Sequence, residues 1–276
     1  MKGISIKQAV LGCLLSIWMV LPVQANDDLR AALLKDADTE AGGEYVRAEF
    51  LKAVKKPFDS KDARKKVLLV GDSHAQDLFN ALRENEHLKN YQLSVRYIPT
   101  RCQMYLGNED VSAFIKPSDA SMCSSSDNLS QAKQQIEQAD IVFLAASWQT
   151  WSAERLPETL NNLNLRPEQK LLVLGRKSFG KINARSYLRQ SEAEWANLRN
   201  PIDEQQAVIN ASLRKVLGAQ VFVDIHEILC GQGTTCPIFT PDLRLISFDG
   251  GHFTPAGAKY AGKLLFEREP LRSALP

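Results

Sequence analysis

The sequence predicts an α/β domain built on a mostly parallel five-stranded sheet with helices on both faces. Five short apolar runs, rich in β-branched residues, lie at 67–70, 93–98, 141–144, 171–174 and 221–223. Short runs that are apolar throughout are typical of strands buried on both faces. Helical periodicity fills most of the chain between them, and strands that alternate with helices indicate a parallel sheet in one domain.

The helices follow the strands in chain order. Apolar residues at helical spacing predict helices over 75–82, 129–139, 155–163, 202–217 and 255–266. Pro255 occupies a favoured first-turn position of the last helix. A long loop over 99–127 and a polar stretch over 175–200 interrupt the pattern. Long loops in compact domains are usually functional or disordered, and the two cysteines in the first loop favour function.

The first 25 residues have the pattern of a cleaved signal peptide. Two lysines precede an apolar run over 9–23, and Val23-Gln24-Ala25 is a small-x-small site. The alternative, an uncleaved anchor, needs about 20 apolar residues to span a bilayer. We therefore predict export to the periplasm with cleavage after Ala25, a helical N-terminal extension over 26–64 that breaks at Gly42-Gly43, and the α/β domain over 65–276.

Composition and charge exclude other classes. The 276 residues are 44% hydrophobic and 24% charged, as in ordinary globular proteins. The net charge is +2, and the predicted signal peptide holds the two excess lysines, Lys2 and Lys7, and no acid. A neutral mature chain gives no support for nucleic-acid binding, which needs a basic excess.

Four cysteines remain after the predicted cleavage. An even number in an oxidising compartment indicates two disulfides. Three pairings are possible, and the simplest joins Cys102 to Cys123 and Cys230 to Cys236. A zinc site is the competing interpretation, but neither pair has C-x-x-C spacing and no histidine lies beside them at ligand spacing. Asp224 and His226 are interpreted as loop residues, and we expect no metal and no cofactor.

Residues after the first strand and before the last helix carry the candidate chemistry. Gly71-Asp72-Ser73-His74 follows the first strand, where glycine permits a sharp turn and places Ser73 at a helix N-terminus. Asp249-Gly250-Gly251-His252 precedes the last helix, with an offset that lets the Asp249 carboxylate reach one nitrogen of His252. The other nitrogen is then available to a serine hydroxyl, which is the arrangement that serine acyl chemistry requires. The competing interpretations are an N-cap serine and a surface histidine.

These two motifs together resemble the SGNH (GDSL-like) hydrolase superfamily, over about residues 65–268. The chain is most similar to the SGNH domain associated with membrane acyltransferase-3 proteins, in Gly71-Asp72-Ser73-His74, in Pro99-Thr100-Arg101-Cys102, in the loop between Cys230 and Cys236, and in Trp148 after the third strand. The resemblance implies a flavodoxin-like three-layer α/β/α sandwich. It also implies that Ser73 is the nucleophile, His252 the base and acid, and Asp249 its orienting partner.

The resemblance also predicts an oxyanion site. The family uses the serine N–H, a glycine N–H and an asparagine side chain; here Ser73 and Gly107 match the first two. Ser147-Trp148-Gln149 stands where the asparagine motif is expected, so Gln149 is the substitute donor. His74, Trp148 and Arg176 are predicted substrate contacts. A packed histidine at a helix start is at least as good an interpretation of His74, Trp148 is either a wall of the pocket or core packing, and a solvated basic turn is the alternative for Arg176.

Three function classes follow. The first is an exported serine enzyme that adds or removes short O-acyl groups on a cell-envelope polysaccharide, with a membrane acyltransferase as a possible supplier of acyl groups. The second is a catalytically inactive carbohydrate-binding module with the same fold, suggested by the missing asparagine. The third is a metal-dependent phosphatase or sulfatase, suggested only by Asp and His residues near strand ends.

Overall fold

The computed structural model describes the backbone of residues 21–276 and the side chains from residue 27 onward. The predicted signal peptide lies almost wholly outside this range. None of the helices within it is both long and apolar enough to cross a membrane.

Two sheets form the framework of the described chain. The strands are β1 (Lys66–Gly71), β2 (Gln92–Tyr97), β3 (Ile141–Ala145), β4 (Lys170–Leu174), β5 (Arg199–Pro201), β6 (Phe222–Val223) and β7 (Thr235–Pro237). The main sheet has the order β2-β1-β3-β4-β6, and all its pairings are parallel. This confirms the predicted five-stranded sheet, and the order is the flavodoxin-like one. The smaller sheet pairs β5 with β7 antiparallel and was not predicted.

The helices connect these strands. They are α1 (Leu21–Asp36), α2 (Thr39–Lys52), α3 (Ser73–Glu84), α4 (Ala120–Ser125), α5 (Leu129–Gln138), α6 (Thr150–Glu154), α7 (Leu156–Leu163), α8 (Ala184–Tyr187), α9 (Glu192–Asn197), α10 (Glu204–Leu217), α11 (Ile225–Cys230), α12 (Pro255–Phe266) and α13 (Leu271–Ala274). The five predicted helices correspond to α3, α5, α7, α10 and α12. Short 3-10 turns at Ser112–Phe114 and Pro117–Asp119 lie in the long loop.

Alternate residues of the central strands face opposite layers, which gives the three-layer sandwich. Val67 and Leu69 of β1 pack with α2, α3, α11, α12 and α13 in one core. Leu68 and Val70 pack with α5, α7 and α10 in the other. A smaller third core lies beside the β5–β7 ribbon, where Trp195 of α9 stacks on Phe239. The polar stretch over 175–200 therefore contains two short helices and a buried tryptophan, Trp195.

The N-terminal extension packs against the α/β domain. Phe50 of α2 is fully buried in the core that covers β1. The predicted break at Gly42-Gly43 is wrong, because both glycines lie inside α2, and the break falls before Asp38, which caps that helix. Gly42 has a packing role: a Cβ at this position would lie 2.6 Å from the ring of Phe248.

The cysteines form two disulfides with the simplest predicted pairing. Cys102 pairs with Cys123 across 5.3 Å between Cα atoms, and Cys230 pairs with Cys236 across 4.6 Å. The first disulfide closes the long loop after β2. The second joins the end of α11 to β7, just before the chain turns toward Asp249.

Candidate active site

A sharp turn at the end of β1 presents Ser73. Gly71 has φ +152°, and a Cβ there would lie 1.8 Å from the carbonyl oxygen of Ala145 in β3. Only glycine fits so close to a neighbouring strand in this conformation. Ser73 is the first residue of α3, where the N–H groups have no partner inside the helix and favour negative charge.

Asp72 ties together the ends of three strands. One carboxylate oxygen accepts the His74 N–H at 2.9 Å, which caps α3. The other accepts the Thr100 hydroxyl at 2.7 Å, after β2, and the Ser147 N–H at 2.9 Å, after β3. Burial raises the pKa of Asp72, and these three donors together with the charge of Lys177 oppose that rise. Asp72 therefore fixes the turn that presents Ser73.

Gln103 forms a second tie between the same loops. Its side-chain amide donates to the carbonyl oxygens of Thr100 and Ser147, and its side-chain oxygen accepts the Gln149 N–H and the Ser152 hydroxyl. Its backbone is left-handed, with φ +57°. Sequence reasoning missed Gln103; its position directly after the Pro99–Cys102 motif was the available signal.

The Asp249–His252 pair is formed as predicted. Asp249 Oδ2 lies 2.6 Å from His252 Nδ1, while Oδ1 accepts the N–H groups of Gly251 and His252, each at 2.8 Å. The turn depends on Gly250, whose φ is +92°. The ring of Phe248 lies nearly parallel to the imidazole, with centroids 5.8 Å apart. One carboxylate thus holds both the loop and the ring, which leaves His252 Nε2 outside the pair.

The pair stabilises its own charged form. Burial raises the pKa of Asp249, but hydrogen bonds and charge from His252 outweigh it and bring the pKa to about 2. Burial lowers the pKa of His252, but the hydrogen bond that its ring N–H donates to Asp249 and the charge of Asp77 outweigh burial and raise the pKa above its ordinary value. An imidazolium that forms on His252 is therefore stabilised, as a general base requires.

Asp77 connects this loop to helix α3. Asp77 lies four residues after Ser73, so the two are neighbours along the helix. Its carboxylate accepts the Phe253 N–H at 3.1 Å and pairs with Lys177 at 2.5 Å. Lys177 also donates to the carbonyl oxygen of Gly251. The residues on both sides of His252 are thereby held one helical turn from Ser73.

The Ser73 hydroxyl makes no hydrogen bond to the residues whose side chains the structure describes. The described side chains therefore include no hydrogen bond between Ser73 and His252. Such contacts are often long in enzymes without substrate and tighten when substrate binds. The assignment of Ser73 as nucleophile stays a prediction, supported by its place at the helix N-terminus beside the His252 loop.

His74 is buried directly behind Ser73. Its Nδ1 is buried without a hydrogen-bond partner among the described residues. Burial, with the charges of Lys177, His252 and Arg176, holds the pKa of His74 well below its ordinary value. A neutral, buried imidazole shapes the floor of the turn, and its role as a substrate contact stays a prediction.

The two predicted oxyanion partners of Ser73 have different surroundings. The residues on either side of Gly107 bond to helix α7, through Thr159 and Glu158. These contacts give no support to Gly107 as a donor. The side chain of Gln149 accepts from Trp151 and donates to the Thr100 carbonyl at 3.4 Å. Gln149 therefore lies beside a residue that contacts Asp72, and its donor role stays a prediction.

Trp148 and Arg176 are engaged in internal contacts. Trp148 has no exposed surface, and its indole N–H donates to the Leu174 carbonyl at 2.8 Å, so it belongs to the core and not to a pocket wall. The Arg176 side chain pairs with Asp203 at 3.1 Å and is largely buried. The predicted glycan contact at Arg176 is not supported by this arrangement.

One group within the described side chains has the composition of a metal site. His226, Cys230 and Cys236 bring their ligand atoms within 4.8 Å of one another. Both sulfurs are joined in a disulfide, so they are not thiolates that bind metal. The ring of His226 instead hydrogen-bonds the Gly233 carbonyl at 2.9 Å.

Residues 40–267 match the family model of the SGNH domain fused to AT3 domains, and the chain therefore belongs to this family. No curated protein sequence matches it significantly.

Two solved structures are similar to this chain, and the first of them supports the same fold. The periplasmic domain of the lipopolysaccharide acetyltransferase from Salmonella ser. Paratyphi A is similar, with a TM-score of 0.55 and 15% identity over 83% of this chain and 97% of that one. The C-terminal catalytic domain of peptidoglycan O-acetyltransferase A from Streptococcus pneumoniae, with a methylsulfonyl adduct, has a TM-score of 0.35 and 13% identity over 76% of this chain and 94% of that one.

Proposed function

We propose that this protein is an exported serine-dependent acyl-transfer enzyme that adds or removes short O-acyl groups, such as acetyl, on a cell-envelope polysaccharide. The observation that carries the proposal is the Asp249–His252 pair, whose following residue, Phe253, hydrogen-bonds Asp77, one helical turn after Ser73. A carbohydrate-binding module has no need of a carboxylate that fixes the tautomer of an imidazole. Membership of the SGNH family supports the same chemistry.

The proposed reaction passes through an acyl-enzyme. The Ser73 oxygen attacks the carbonyl carbon of an ester donor, and His252 Nε2 takes the hydroxyl proton. The bond to the leaving oxygen breaks, and that oxygen receives the proton from His252, which leaves an ester on Ser73. Water or a sugar hydroxyl then attacks the ester, again through His252, and restores the serine.

The fold supplies part of the stabilisation that this reaction needs. The Ser73 N–H at the start of α3 faces the charge that develops on the carbonyl oxygen, and the helix dipole favours that charge. Asp249 stabilises the imidazolium formed on His252. Water as acceptor makes the enzyme an esterase, and a sugar hydroxyl makes it a transferase.

A cavity of about 310 Å³ beside Gln149 is the proposed acceptor site. Arg101, Phe114, Lys116, Ser118 and Asp119 line the rest of it. Arg101 pairs with Asp119 at 3.1 Å, so the net charge of the lining comes from Lys116 and favours an anionic sugar. The Cys102–Cys123 disulfide closes the loop that carries most of this lining, which fixes the cavity relative to the turn at Ser73.

We also propose that a membrane acyltransferase supplies the acyl groups, because the family domain occurs fused to AT3 domains. Export is supported by the sequence of residues 1–25 and by the two disulfides, which persist in oxidising compartments.

Intact mass after brief exposure to p-nitrophenyl acetate tests the proposal. We expect one acetyl adduct on the wild type, none on Ser73→Ala, and an unchanged adduct on the matched control Ser121→Ala, an exposed serine of α4. Candidate glycans added to the reaction then separate hydrolysis from transfer. An adduct that survives Ser73→Ala contradicts the assignment, and glycan binding without any ester turnover supports the binding-module alternative.

A further inference from the structure

Asp77 and Lys177 form an ion pair in the interior beneath the candidate site. Their side chains are 0% and 2% exposed, and Lys177 Nζ lies 2.5 Å from Asp77 Oδ2. Removing two charges from water costs several kcal/mol per ion, and well-packed apolar residues often replace such a pair without loss of stability. Stability of the fold alone therefore does not explain why the pair is here.

Both partners have a second contact, and both contacts reach the backbone around one residue. Asp77 Oδ1 accepts the Phe253 N–H, and Lys177 donates to the Gly251 carbonyl. The peptide groups before and after His252 are thus fixed to α3, one turn from Ser73. The Asp249 carboxylate orients the imidazole within its loop, whereas this ion pair sets where the loop lies relative to the helix.

We propose that Asp77 and Lys177 are positioning residues that hold His252 at working distance from Ser73. The inference rests on the proposed function, in which His252 takes the proton of the Ser73 hydroxyl. Neither residue touches the reacting atoms in this proposal. Proton transfer needs donor and acceptor within hydrogen-bond reach, and a displacement of about 1 Å costs on the order of 100-fold in rate.

The charges of the pair give the proposal a second signature. The charged or titratable groups that act on His252 are Asp249, Asp77, Lys177 and the neutral His74. Burial lowers the pKa of His252, the hydrogen bond to Asp249 raises it, the charge of Asp77 raises it and that of Lys177 lowers it. Since the base must be neutral to act, the acidic limb of the rate profile follows this pKa.

The two single variants therefore move the acidic limb in opposite directions. Asp77→Asn leaves the lysine charge unopposed, lowers the pKa of His252 and moves the limb to lower pH. Lys177→Met leaves the carboxylate unopposed, raises the pKa and moves the limb to higher pH. The double variant returns the limb toward that of the wild type while the rate stays low.

The experiment measures acylation of the full chain by p-nitrophenyl acetate between pH 5 and 9, with kcat and KM separated. Lys177→Met loses the Gly251 contact, and we expect kcat to fall on the order of 100-fold with KM nearly unchanged. Asn at position 77 still accepts the Phe253 N–H, so we expect kcat to fall about tenfold in Asp77→Asn and on the order of 100-fold in Asp77→Ala. This ranking separates the loss of the contact from the loss of the charge.

A matched control exists elsewhere in the fold. Arg96 and Asp127 form another buried ion pair at 2.5 Å, with side chains 8% and 5% exposed, and the pair contacts neither motif. Asp127→Asn also leaves a buried charge unpaired, and we expect reduced stability with an unchanged limb and kcat within twofold. If a single variant at the site does not fold, the double Asp77→Asn/Lys177→Met variant, which leaves no unpaired buried charge, decides by its kcat.

The outcomes distinguish the two levels of the argument. Absence of a Ser73-dependent adduct in the wild type overturns the proposed function. The positioning role alone is overturned if the wild type forms the adduct while the Asp77 and Lys177 variants match the Asp127→Asn control both in kcat and in the position of the acidic limb of the pH–rate profile.

Discussion

Replacement of Asp249 by Asn tests the proposed base most directly, because it changes one atom of the pair. Asn retains Oδ1, which accepts the N–H groups of Gly251 and His252, so the loop keeps its shape. The amide nitrogen replaces Oδ2, which lies 2.6 Å from His252 Nδ1. An N–H at this place donates to Nδ1 and leaves the ring proton on Nε2, so the imidazole no longer accepts a proton from a serine.

The expected loss is large in rate and small in stability. The equivalent change in a buried serine–histidine–aspartate triad lowers kcat about 10⁴-fold. The Asp249 and His252 side chains are about one-third exposed, so solvent weakens the effect, and we expect kcat to fall about 10³-fold in Asp249→Asn. The fall of the Asp249 pKa from 3.8 to about 2 limits the contribution of the ionised carboxylate to the free energy of unfolding to at most about 2.4 kcal/mol. Solvent screening reduces this contribution to about 1 kcal/mol.

The pH dependence of stability follows from the two shifts. The raised pKa of His252 contributes stability that is fully present below pH 6.5, the pKa of the unfolded chain, and is lost as the pH rises through the pKa of the folded protein. The lowered pKa of Asp249 gives stability that is present above 3.8 and is lost as the pH falls toward about 2. The difference in Tm between wild type and Asp249→Asn is therefore greatest between about pH 4 and 6.5 and narrows on either side.

The assay combines acylation rates with thermal unfolding across pH, beside Asp242→Asn as the control. Asp242 is an exposed carboxylate of the same segment that bonds Thr240, and its removal leaves the pair intact. An Asp249→Asn variant within tenfold of the wild-type rate contradicts the role assigned to the carboxylate. A Tm difference that does not depend on pH contradicts the linkage.

Three further predictions concern the parts that surround the pair. Asp72→Ala removes the acceptor of three hydrogen bonds between strand ends, and we expect the free energy of unfolding to fall by about 4 kcal/mol and Tm by about 10 °C, measured by calorimetry. The double variant Cys102→Ala/Cys123→Ala opens a loop with a sequence separation of 21, and we expect the free energy of unfolding to fall by about 3 kcal/mol. Reductant should then no longer lower the Tm of this variant through the Cys102–Cys123 bond. An unchanged free energy of unfolding contradicts this prediction. Lys116→Glu places a negative charge at the proposed acceptor cavity, and we expect about tenfold slower transfer to an anionic glycan with p-nitrophenyl acetate hydrolysis within twofold of wild type; equal losses in both reactions contradict the assignment of the cavity.

The sheet was predictable because its information is local. Most of its strands are short runs of β-branched and other apolar residues, and the structure places all five in one parallel sheet. The two candidate motifs were also visible, since Ser73 follows a strand and Asp249 is at the offset from His252 that lets the two side chains meet. The local pattern gave the wrong result where packing decides. The Gly42-Gly43 pair suggests a helix break, but both glycines lie within α2. Glycine is needed at position 42 because the ring of Phe248 occupies the space that a side chain would take.

Long-range polar contacts could not be predicted from one sequence. Lys177 lies in the polar stretch over 175–200, and nothing near it in the chain shows that Asp77, 100 residues earlier, is its partner. Gln103 looks like an ordinary loop residue, yet it holds two loops together from a left-handed backbone position. Such contacts become visible only when the topology brings the strand ends to one edge of the sheet.

The arrangement divides the candidate site into two halves with different supports. The half with Ser73 is built by Asp72 and Gln103, which join the loops after β1, β2 and β3. The half with His252 is a loop that follows the β5–β7 ribbon and is closed by the Asp249 carboxylate. The Asp77–Lys177 pair is a buried polar connection between the halves. A buried pair gives little net stability but allows few geometries, and under the proposed function this restriction serves the precision that proton transfer between the halves demands.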